Sequence, residues 1–138
     1  MPRTLAVEIV TPERIVYTNE VEFVVVPTFD GEMGVLPLHA PLVGVLKPGE
    51  VRVKYGDTTD WFAVSGGYIQ VHEDKVIILA DNAVSASQID VEEARRTKER
   101  AQERLKEIGH AGDEVDGLAL DLDWAEAQLR VGGSHAQV

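Results

Sequence analysis

The composition of the chain changes near Ser87, and this change constrains the fold more than any other feature of the sequence. All six prolines lie at or before Pro48, and sixteen of the twenty valines precede Ser87. From Ile89 onward the sequence contains no proline and is rich in helix-forming residues such as alanine, glutamate and arginine. We therefore expect a strand-built domain over residues 1–86 and a helical domain over residues 87–138.

Short segments with alternating polarity dominate the first domain. Apolar residues recur with a period of two in residues 5–10 and again in residues 50–55, as in half-buried strands. About nine short strands, separated by turn signals roughly every ten residues, indicate an antiparallel sandwich or a flattened barrel. Residues 76–80 are continuously apolar, which predicts a strand that is buried on both faces.

The second domain has the pattern of an antiparallel pair of helices. Ser87 is a candidate N-cap of the first helix, and Gly109 ends it. Asp113 is a candidate cap of the second helix, and residues 132–138 are expected to fray. The first helix has one apolar seam, formed by Ala94, Thr97, Ala101, Leu105 and Ile108. The second helix has two, formed by Val115, Leu118, Leu122, Ala125 and Leu129 and by Leu120, Trp124, Ala127 and Val131. Since only one of these two seams can pack on the first helix, the other needs the strand domain or a partner.

The charge of the chain argues against several classes of partner. The sequence has 13 basic and 24 acidic residues and a formal net charge of −11, so its field repels a phosphate backbone, and we expect no nucleic-acid binding. The absence of cysteine excludes disulfides and thiolate zinc sites. The uncharged residues 34–46 form a stretch that is too short to cross a bilayer. Any connection to a membrane therefore runs through another protein.

The sequence contains no constellation of catalytic residues, and we expect a non-catalytic chain. It has no Walker loop, no dinucleotide-binding glycine motif and no nucleophile elbow. The triplet His72-Glu73-Asp74 contains residue types that bind metals, but its position between two apolar segments favours a solvated hairpin turn. We therefore predict no catalytic residue and no metal site.

Two glycine-containing segments carry more information. Residues 31–42 read GEMGVLPLHAPL, in which two glycines and two prolines constrain the backbone around Glu32 and His39. This segment is either a structural corner between two strands or a binding loop. Residues 65–68 read SGGY, and paired glycines before an aromatic residue predict a bulge or a close approach of two backbones.

A row of arginines lies on the first helix. Arg96, Arg100 and Arg104 are spaced by four residues, and a stripe of glutamates follows each arginine by three residues, at Glu99, Glu103 and Glu107. Such pairs stabilise a helix by about 0.2–0.5 kcal/mol each. The row is either a solvated, self-paired face or a surface that exchanges its glutamates for an acidic or phosphorylated partner.

Taken together, these segments resemble the epsilon subunit of F-type ATP synthases. The matching segments are residues 31–42, residues 65–69, residues 76–81 and residues 127–131, which follow one another at the spacing of that family and extend over nearly the whole chain. The resemblance implies an N-terminal ten-strand β-sandwich followed by a C-terminal antiparallel two-helix hairpin. It also implies a non-catalytic rotor subunit in the central stalk of a proton-translocating enzyme, peripheral to the cytoplasmic face of the plasma membrane.

The same resemblance implies specific partners. The sandwich is expected to bind the gamma subunit and the ring of c subunits, with Glu32 and His39 facing the ring. The hairpin is expected either to lie on the sandwich or to extend to the alpha/beta head, where Arg96, Arg100 and Arg104 are candidate contacts that hinder ATP hydrolysis. Residues 85–88 and 109–112 are the expected hinges, and the isolated chain is expected to be a monomer.

Some members of this family bind ATP on the folded hairpin, and this chain departs from their motif. Asp90 and Arg100 match expected ATP-binding positions, but Glu93 stands where the motif has an arginine, and Trp124 replaces an arginine of the second helix. Because a carboxylate repels a triphosphate, we expect no strong ATP site and no other cofactor.

Two alternatives stay open at this point. The chain is an ATP sensor that acts alone, or it is a protein-binding sandwich whose helical tail forms oligomers through the second seam.

If it is a rotor subunit, the second helix offers a poor match to an acidic partner, because residues 113–130 include six acidic residues and one basic residue. We therefore expect truncation after Ser87 to raise ATP hydrolysis of the assembled enzyme only modestly.

Overall fold

The computed structural model describes residues 3–109, 112 and 114–135, without the side chains of Ser134 and His135. Ten β-strands precede a short 3₁₀ helix and two α-helices. The strands are β1 (Leu5–Val10), β2 (Ile15–Val21), β3 (Phe23–Thr28), β4 (Gly31–Val35), β5 (Leu42–Leu46), β6 (Gly49–Tyr55), β7 (Thr58–Val64), β8 (Gly67–His72), β9 (Lys75–Ala80) and β10 (Ala83–Ser85). The 3₁₀ helix (Ala86–Gln88), α1 (Val91–Ile108) and α2 (Glu114–His135) complete the chain. The predicted ten-strand sandwich with a two-helix hairpin is confirmed. The periodicity argument missed only β10, which is three residues long.

The strands form one continuous hydrogen-bonded sheet that folds over on itself. Its order is β10-β7-β6-β3-β5-β8-β9-β1-β2, with β4 paired to β3. Strand β1 pairs with β9 in parallel, and the other described pairs are antiparallel. The β8–β9 turn at Glu73 and Asp74 has φ values of 51° and 60°, typical of a two-residue hairpin turn. The prediction of a turn at His72-Glu73-Asp74 is therefore confirmed.

The alternation of apolar residues places the core between the two layers. In β1, Leu5, Val7 and Ile9 are buried and their neighbours are half-buried, as a period of two requires. The same rule holds in β6, where Val51 and Val53 are fully buried. Aliphatic side chains from β1, β3, β6, β7, β8 and β9 meet in this core.

The prediction that β9 is buried on both faces is wrong. Val76, Ile78 and Ala80 point into the core, but Leu79 is 45% exposed on the opposite face. Strands β3 and β7 are the ones with both faces covered over part of their length, since residues 24–27 and residues 62–64 are buried in succession. A continuous apolar run thus identified a strand whose second face is free in the isolated chain.

Gly67 permits a close approach between β8 and β9. A Cβ atom at this position would lie 2.0 Å from the carbonyl oxygen of Leu79, and the backbone has φ of +142°. Neither condition is compatible with an L side chain. The predicted close backbone approach within residues 65–68 is confirmed.

Helix α1 begins one turn later than the hydroxyl pattern predicted. Asp90 is its N-cap, because the side chain accepts a hydrogen bond from the N–H of Glu93 at 3.0 Å. Ser87 lies in the 3₁₀ helix instead. Gly109 ends the helix with φ of +72°, as predicted, and its N–H donates to the Leu105 carbonyl. The linker residues His110 and Ala111 and the predicted cap Asp113 lie outside the described residues.

Helix α2 packs on the sandwich, and α1 packs on α2. Contacts of α2 reach β6, β7 and the 3₁₀ helix. The expected fraying of residues 132–138 is wrong for residues 132–135, because α2 continues to His135 and Gly132 is buried against Ile89 and Val91. Residues 136–138 lie outside the described residues. In the part of the chain that the structure describes, neither helix is long and apolar enough to cross a membrane.

Candidate functional site

An exposed apolar surface covers the outside of strands β5, β8 and β9. We define this outer face by Val43, Val45, Tyr68, Ile77 and Leu79. Cross-strand pairs keep these residues on one side of the sheet, since Val45 pairs with Tyr68 and Tyr68 pairs with Leu79. Val43 is 71% exposed and Tyr68 is 57% exposed. A contiguous patch of this kind on a folded chain is typical of a protein-binding surface.

A shallow groove of about 610 Å³ runs along one end of the outer face. Val43, Gln70 and Ile77 form a cross-strand row along it, and Pro41 and His72 close its end. Five of its eight lining residues are apolar, and Gln70, His72 and Lys75 supply its polar groups, a composition that suits a protein surface.

The β4–β5 loop (residues 36–41) projects from one end of the sandwich. Leu36 is 59% exposed and Leu38 is 71% exposed. His39 is half-buried, with Nδ1 2.7 Å from the carbonyl oxygen of Ala40. This contact requires a proton on Nδ1, because the carbonyl oxygen can only accept. The loop therefore presents two apolar side chains beside an oriented imidazole.

Glu32 has different neighbours from His39, although both belong to the segment 31–42. Arg52 donates to Glu32 Oε2 at 3.0 Å, and its guanidinium carbon lies 5.7 Å from the ring centroid of Trp61. Glu32 also lines a cleft of about 340 Å³ between the sandwich and α2, together with Glu50 and Arg130. Glu32 thus lies beside the hairpin, whereas His39 lies near Arg3 and Asp74.

The hairpin meets the sandwich through small residues. The docking contact buries Ala63 and Ala86 of the strand domain against Ala127 and Val131 of α2, with Trp61, Ile89 and Trp124 packed around them. Ala127 and Val131 belong to the second predicted seam, so the need of that seam for the strand domain or a partner is met by the strand domain. At the rim, Arg130 Nε donates to Glu50 Oε1 at 2.8 Å.

The predicted arginine row is paired, partly with other glutamates than those expected. Arg96 and Arg100 both donate to Glu93, at 2.9 Å and 3.2 Å. The hydrogen bond from Arg96, followed by that from Arg100, lowers the pKa of the Glu93 carboxyl. Arg104 donates to Glu107 as predicted and also to Glu114 of α2, so this arginine joins the two helices.

The two candidate ATP-binding residues are occupied by these helix contacts. Asp90 accepts the N–H of Glu93 as the cap of α1, and Arg100 is bound to the Glu93 carboxylate. The negative charge that Arg100 faces in this arrangement comes from the chain itself. Among the described residues, no group of three or more His, Asp or Glu side chains is arranged to hold a metal ion.

The outer face and the Arg52–Trp61 contact escaped the sequence reasoning. The outer face had a signal, because residues 42–46 and 76–80 are apolar at every position except glycine, beyond what one buried face needs. The contact between Arg52 and Trp61 had none, since it depends on the register of β6 against β7.

Comparisons with known proteins assign both domains to one family. Residues 4–86 match the model of the ATP synthase delta/epsilon chain β-sandwich domain, and residues 87–133 match that of its long α-helix domain. The ATP synthase epsilon chain of Desulforamulus reducens is 47% identical over 131 residues, which cover 95% of this chain and 97% of the relative. That of Halalkalibacterium halodurans is 46% identical and covers 94% and 98%.

Solved structures agree with this assignment. A chain in the OSCP, F1 and c-ring structure of the Euglena gracilis mitochondrial ATP synthase has a TM-score of 0.78 and 26% identity, covering 94% of this chain and 81% of that one. A chain of the central stalk and c-ring of the Tetrahymena thermophila enzyme has a TM-score of 0.54 at 16% identity, a likeness of fold over 62% of this chain and 69% of that one.

Proposed function

The chain belongs to the delta/epsilon chain family of ATP synthase, as a non-catalytic epsilon-type subunit, and from this premise we propose how its surfaces serve the enzyme. The sandwich holds the gamma subunit by its outer face and contacts the ring of c subunits by its β4–β5 loop. The hairpin regulates ATP hydrolysis by leaving the sandwich for the alpha/beta head. The chain is a monomer when isolated and reaches the cytoplasmic face of the plasma membrane only through the complex.

The outer face is the observation that carries the proposal for gamma. Four of its five residues are more than 40% exposed, namely Val43, Val45, Tyr68 and Leu79. Burial of this surface contributes about 25 cal/mol of binding free energy per Å² of apolar area, so an apolar partner surface would bind it without complementary charges. Tyr68 at its centre combines a broad apolar ring with a hydroxyl group, as residues that dominate interface energetics often do.

The β4–β5 loop supports the proposed contact with the ring. It lies at one end of the sandwich and exposes Leu36 and Leu38 beside His39. Glu32 lies beside the hairpin and not on this loop, so its contact with the ring is a separate part of the proposal; its side chain is 61% exposed while it is paired with Arg52.

The hairpin supports regulation through the weakness of its attachment. Two packings of similar energy are required if the hairpin is to exchange between the sandwich and the head. The docking contact fully buries four small side chains and partly buries Trp61, Ile89 and Trp124, an apolar area that a second surface can replace. On release, Arg96, Arg100 and Arg104 could exchange their glutamate partners for acidic residues of the head.

Gel filtration with purified gamma subunit tests the main claim. We expect the chain to co-elute with gamma at micromolar concentration, and Val43→Asp to abolish co-elution because it places a charge in the outer face. Leu120→Asp is the matched control, because Leu120 is 51% exposed on α2 and does not belong to the sheet. Elution of Val43→Asp with gamma, like the control, would contradict the proposal.

The regulatory claim needs the assembled enzyme. We expect truncation after Ser87 to raise the ATP hydrolysis rate only modestly, because α2 carries few basic groups for an acidic partner. An unchanged rate would remove the regulatory role, and a large rise would show that the acidic second helix does not weaken inhibition.

A further inference from the structure

The β4–β5 loop has a conformation that needs an external support. No strand pairing is present between Val35 at the end of β4 and Leu42 at the start of β5. Within the loop, Leu38 has φ of +68°, a left-handed conformation that leucine rarely adopts. The loop makes one internal backbone hydrogen bond, from the N–H of His39 to the carbonyl of Leu36 at 3.2 Å.

The support comes from the carboxylate of Asp74. Its Oδ1 accepts the N–H of Leu38 at 2.6 Å, across a sequence separation of 36 residues. Its Oδ2 accepts Arg3 Nε at 2.9 Å, so the two oxygens join the loop to the segment that leads into β1. These hydrogen bonds, from the Leu38 N–H first and then from Arg3, lower the pKa of Asp74. The carboxylate therefore stays charged, and a charged acceptor binds an N–H more strongly than a neutral one.

Asp74 itself is held rigidly. It occupies the second position of the β8–β9 hairpin turn, with φ of +60°. Its backbone carbonyl accepts the N–H of Ala6 at 2.9 Å, and His72 and Lys75 pair on either side of the turn. The side chain is only 21% exposed. The sheet thus fixes the position of the Asp74 carboxylate, and the carboxylate in turn fixes the loop through its hydrogen bond with the Leu38 N–H.

We propose that Asp74 is a positioning residue for the ring contact: it fixes the β4–β5 loop so that Leu36, Leu38 and His39 are presented in one arrangement. This inference rests on the proposed function, in which that loop contacts the ring of c subunits. The partner surface fitted by the loop is apolar at Leu36 and Leu38 and polar at His39.

Amide hydrogen exchange of the full isolated chain tests the positioning. Asp74→Gly removes the carboxylate and keeps the turn, because glycine adopts positive φ freely. We expect exchange at the Leu38 amide to rise about tenfold in Asp74→Gly and about threefold in Asp74→Asn, which keeps a neutral acceptor oxygen. Glu73→Gly is the matched control in the same turn, and exchange at Leu38 should not change. Unchanged exchange in Asp74→Gly would overturn the proposal.

The reconstituted enzyme in vesicles tests the consequence. We expect Asp74→Gly to lower proton pumping per ATP hydrolysed by roughly threefold, while co-elution of the variant with gamma stays as in the unmodified chain. Loss of gamma binding together with pumping would show a general structural defect and overturn the positioning role.

Leu38→Asn separates this inference from the function on which it rests. Asparagine accepts the backbone conformation of Leu38 and removes its apolar side chain. If Leu38→Asn pumps normally, the loop does not contact the ring, and the proposed function of the loop fails together with the inference. If Leu38→Asn impairs pumping and Asp74→Gly does not, only the role of Asp74 is overturned.

Discussion

The interior of the sandwich and the contact between sandwich and hairpin are built from different residues. Among the described residues, the sandwich core buries eighteen, mainly valine, isoleucine and leucine, and every one of the ten strands contributes to it. The docking contact buries four, of which three are alanine. Because hydrophobic stabilisation scales with the apolar area removed from water, we expect the sandwich core, which is the frame of the molecule, to persist when the docking contact separates.

The polar contacts follow the same division. In the sandwich, Tyr17 donates to Asp60 at 3.1 Å and packs edge-on against Phe62, with ring centroids 4.9 Å apart. At the docking contact, the pair of Arg130 and Glu50 lies at the rim, where Arg130 is 55% exposed. Solvent screens an ion pair of this kind, so it contributes little to holding the hairpin.

Substitution inside the frame has the largest expected effect. Ile78 is fully buried, and Ile78→Ala should lower the free energy of unfolding of the sandwich by about 2–5 kcal/mol. Ile77→Ala, one residue away on the outer face, is the matched control and should cost less than about 1.5 kcal/mol. Urea unfolding followed by circular dichroism measures both. Equal losses of unfolding free energy in the two variants would mean that β9 does not have one core face and one outer face.

The second-largest effect is expected at alkaline pH, which should lower the stability of the sandwich. Burial is the main cause that raises the pKa of Tyr17 to about 12, against 10.0 for a free tyrosine. Because the pKa of Tyr17 is higher in the folded chain than in the unfolded chain, the neutral hydroxyl of Tyr17 stabilises the fold. This contribution is complete below pH 10.0 and is lost as the pH rises to about 12. With allowance for partial solvation of the ring, the loss is about 1–2 kcal/mol.

Tyr17→Phe tests this pH dependence. The variant should show a smaller fall in unfolding free energy between pH 10.0 and about 12 than the unmodified chain. Tyr68→Phe, which removes an exposed tyrosine from the outer face, is the control and should keep the full fall. Identical pH profiles for Tyr17→Phe and the unmodified chain would refute the assignment.

A smaller effect is expected at the docking contact itself. A Cβ atom at Gly132 would lie 2.9 Å from Ile89 Cγ2, so Gly132→Ala forces α2 away from Ile89, which lies between the 3₁₀ helix and α1. The crowding should exceed the gain in helix propensity and weaken docking by about 1 kcal/mol. Gly133→Ala is the matched control, because a Cβ atom there meets nothing within 4 Å.

Tryptophan emission can follow docking directly. The chain has two tryptophans, and both Trp61 and Trp124 lie at the docking contact. During urea titration, the tryptophan emission of Gly132→Ala should shift toward that of solvated indole at a lower urea concentration than the emission of Gly133→Ala. The circular dichroism signal of the strands should not change at that urea concentration. Simultaneous loss of both signals would show that the hairpin and the sandwich unfold as one unit.

The smallest effect is expected at the rim. Arg130→Gln should weaken docking by less than about 1 kcal/mol, and added salt should produce a similar change in the unmodified chain. Arg95→Gln, which breaks a pair with Glu92 within α1, should leave docking unaffected. A large loss of docking in Arg130→Gln would mean that the ion pair, and not the alanine-rich contact, holds the hairpin.

The local pattern of the sequence was sufficient for some parts of the candidate sites. The helical spacing of Ala127 and Val131 identified the seam that docks, and the paired glycines identified the close approach at Gly67. The partners of Arg96 and Arg100 were predicted incorrectly, because Glu93 lies on the same side of α1, three residues before Arg96 and seven before Arg100, and the long arginine side chains reach back to it. The N-cap was misplaced for a similar reason, since Ser87 and Asp90 both have side chains that can cap a helix.

The sequence by itself determined that a strand-built sandwich precedes a helical hairpin, because periods of two and of about 3.6 residues are local properties of the chain. It also indicated a close backbone approach at the paired glycines Gly66 and Gly67. Only the tertiary structure decided that the hairpin covers Ala63 of β7 and leaves Leu79 of β9 exposed, and that Asp74 reaches Leu38. These relations join residues that are distant along the chain, and they depend on sheet order and register, which no local pattern encodes.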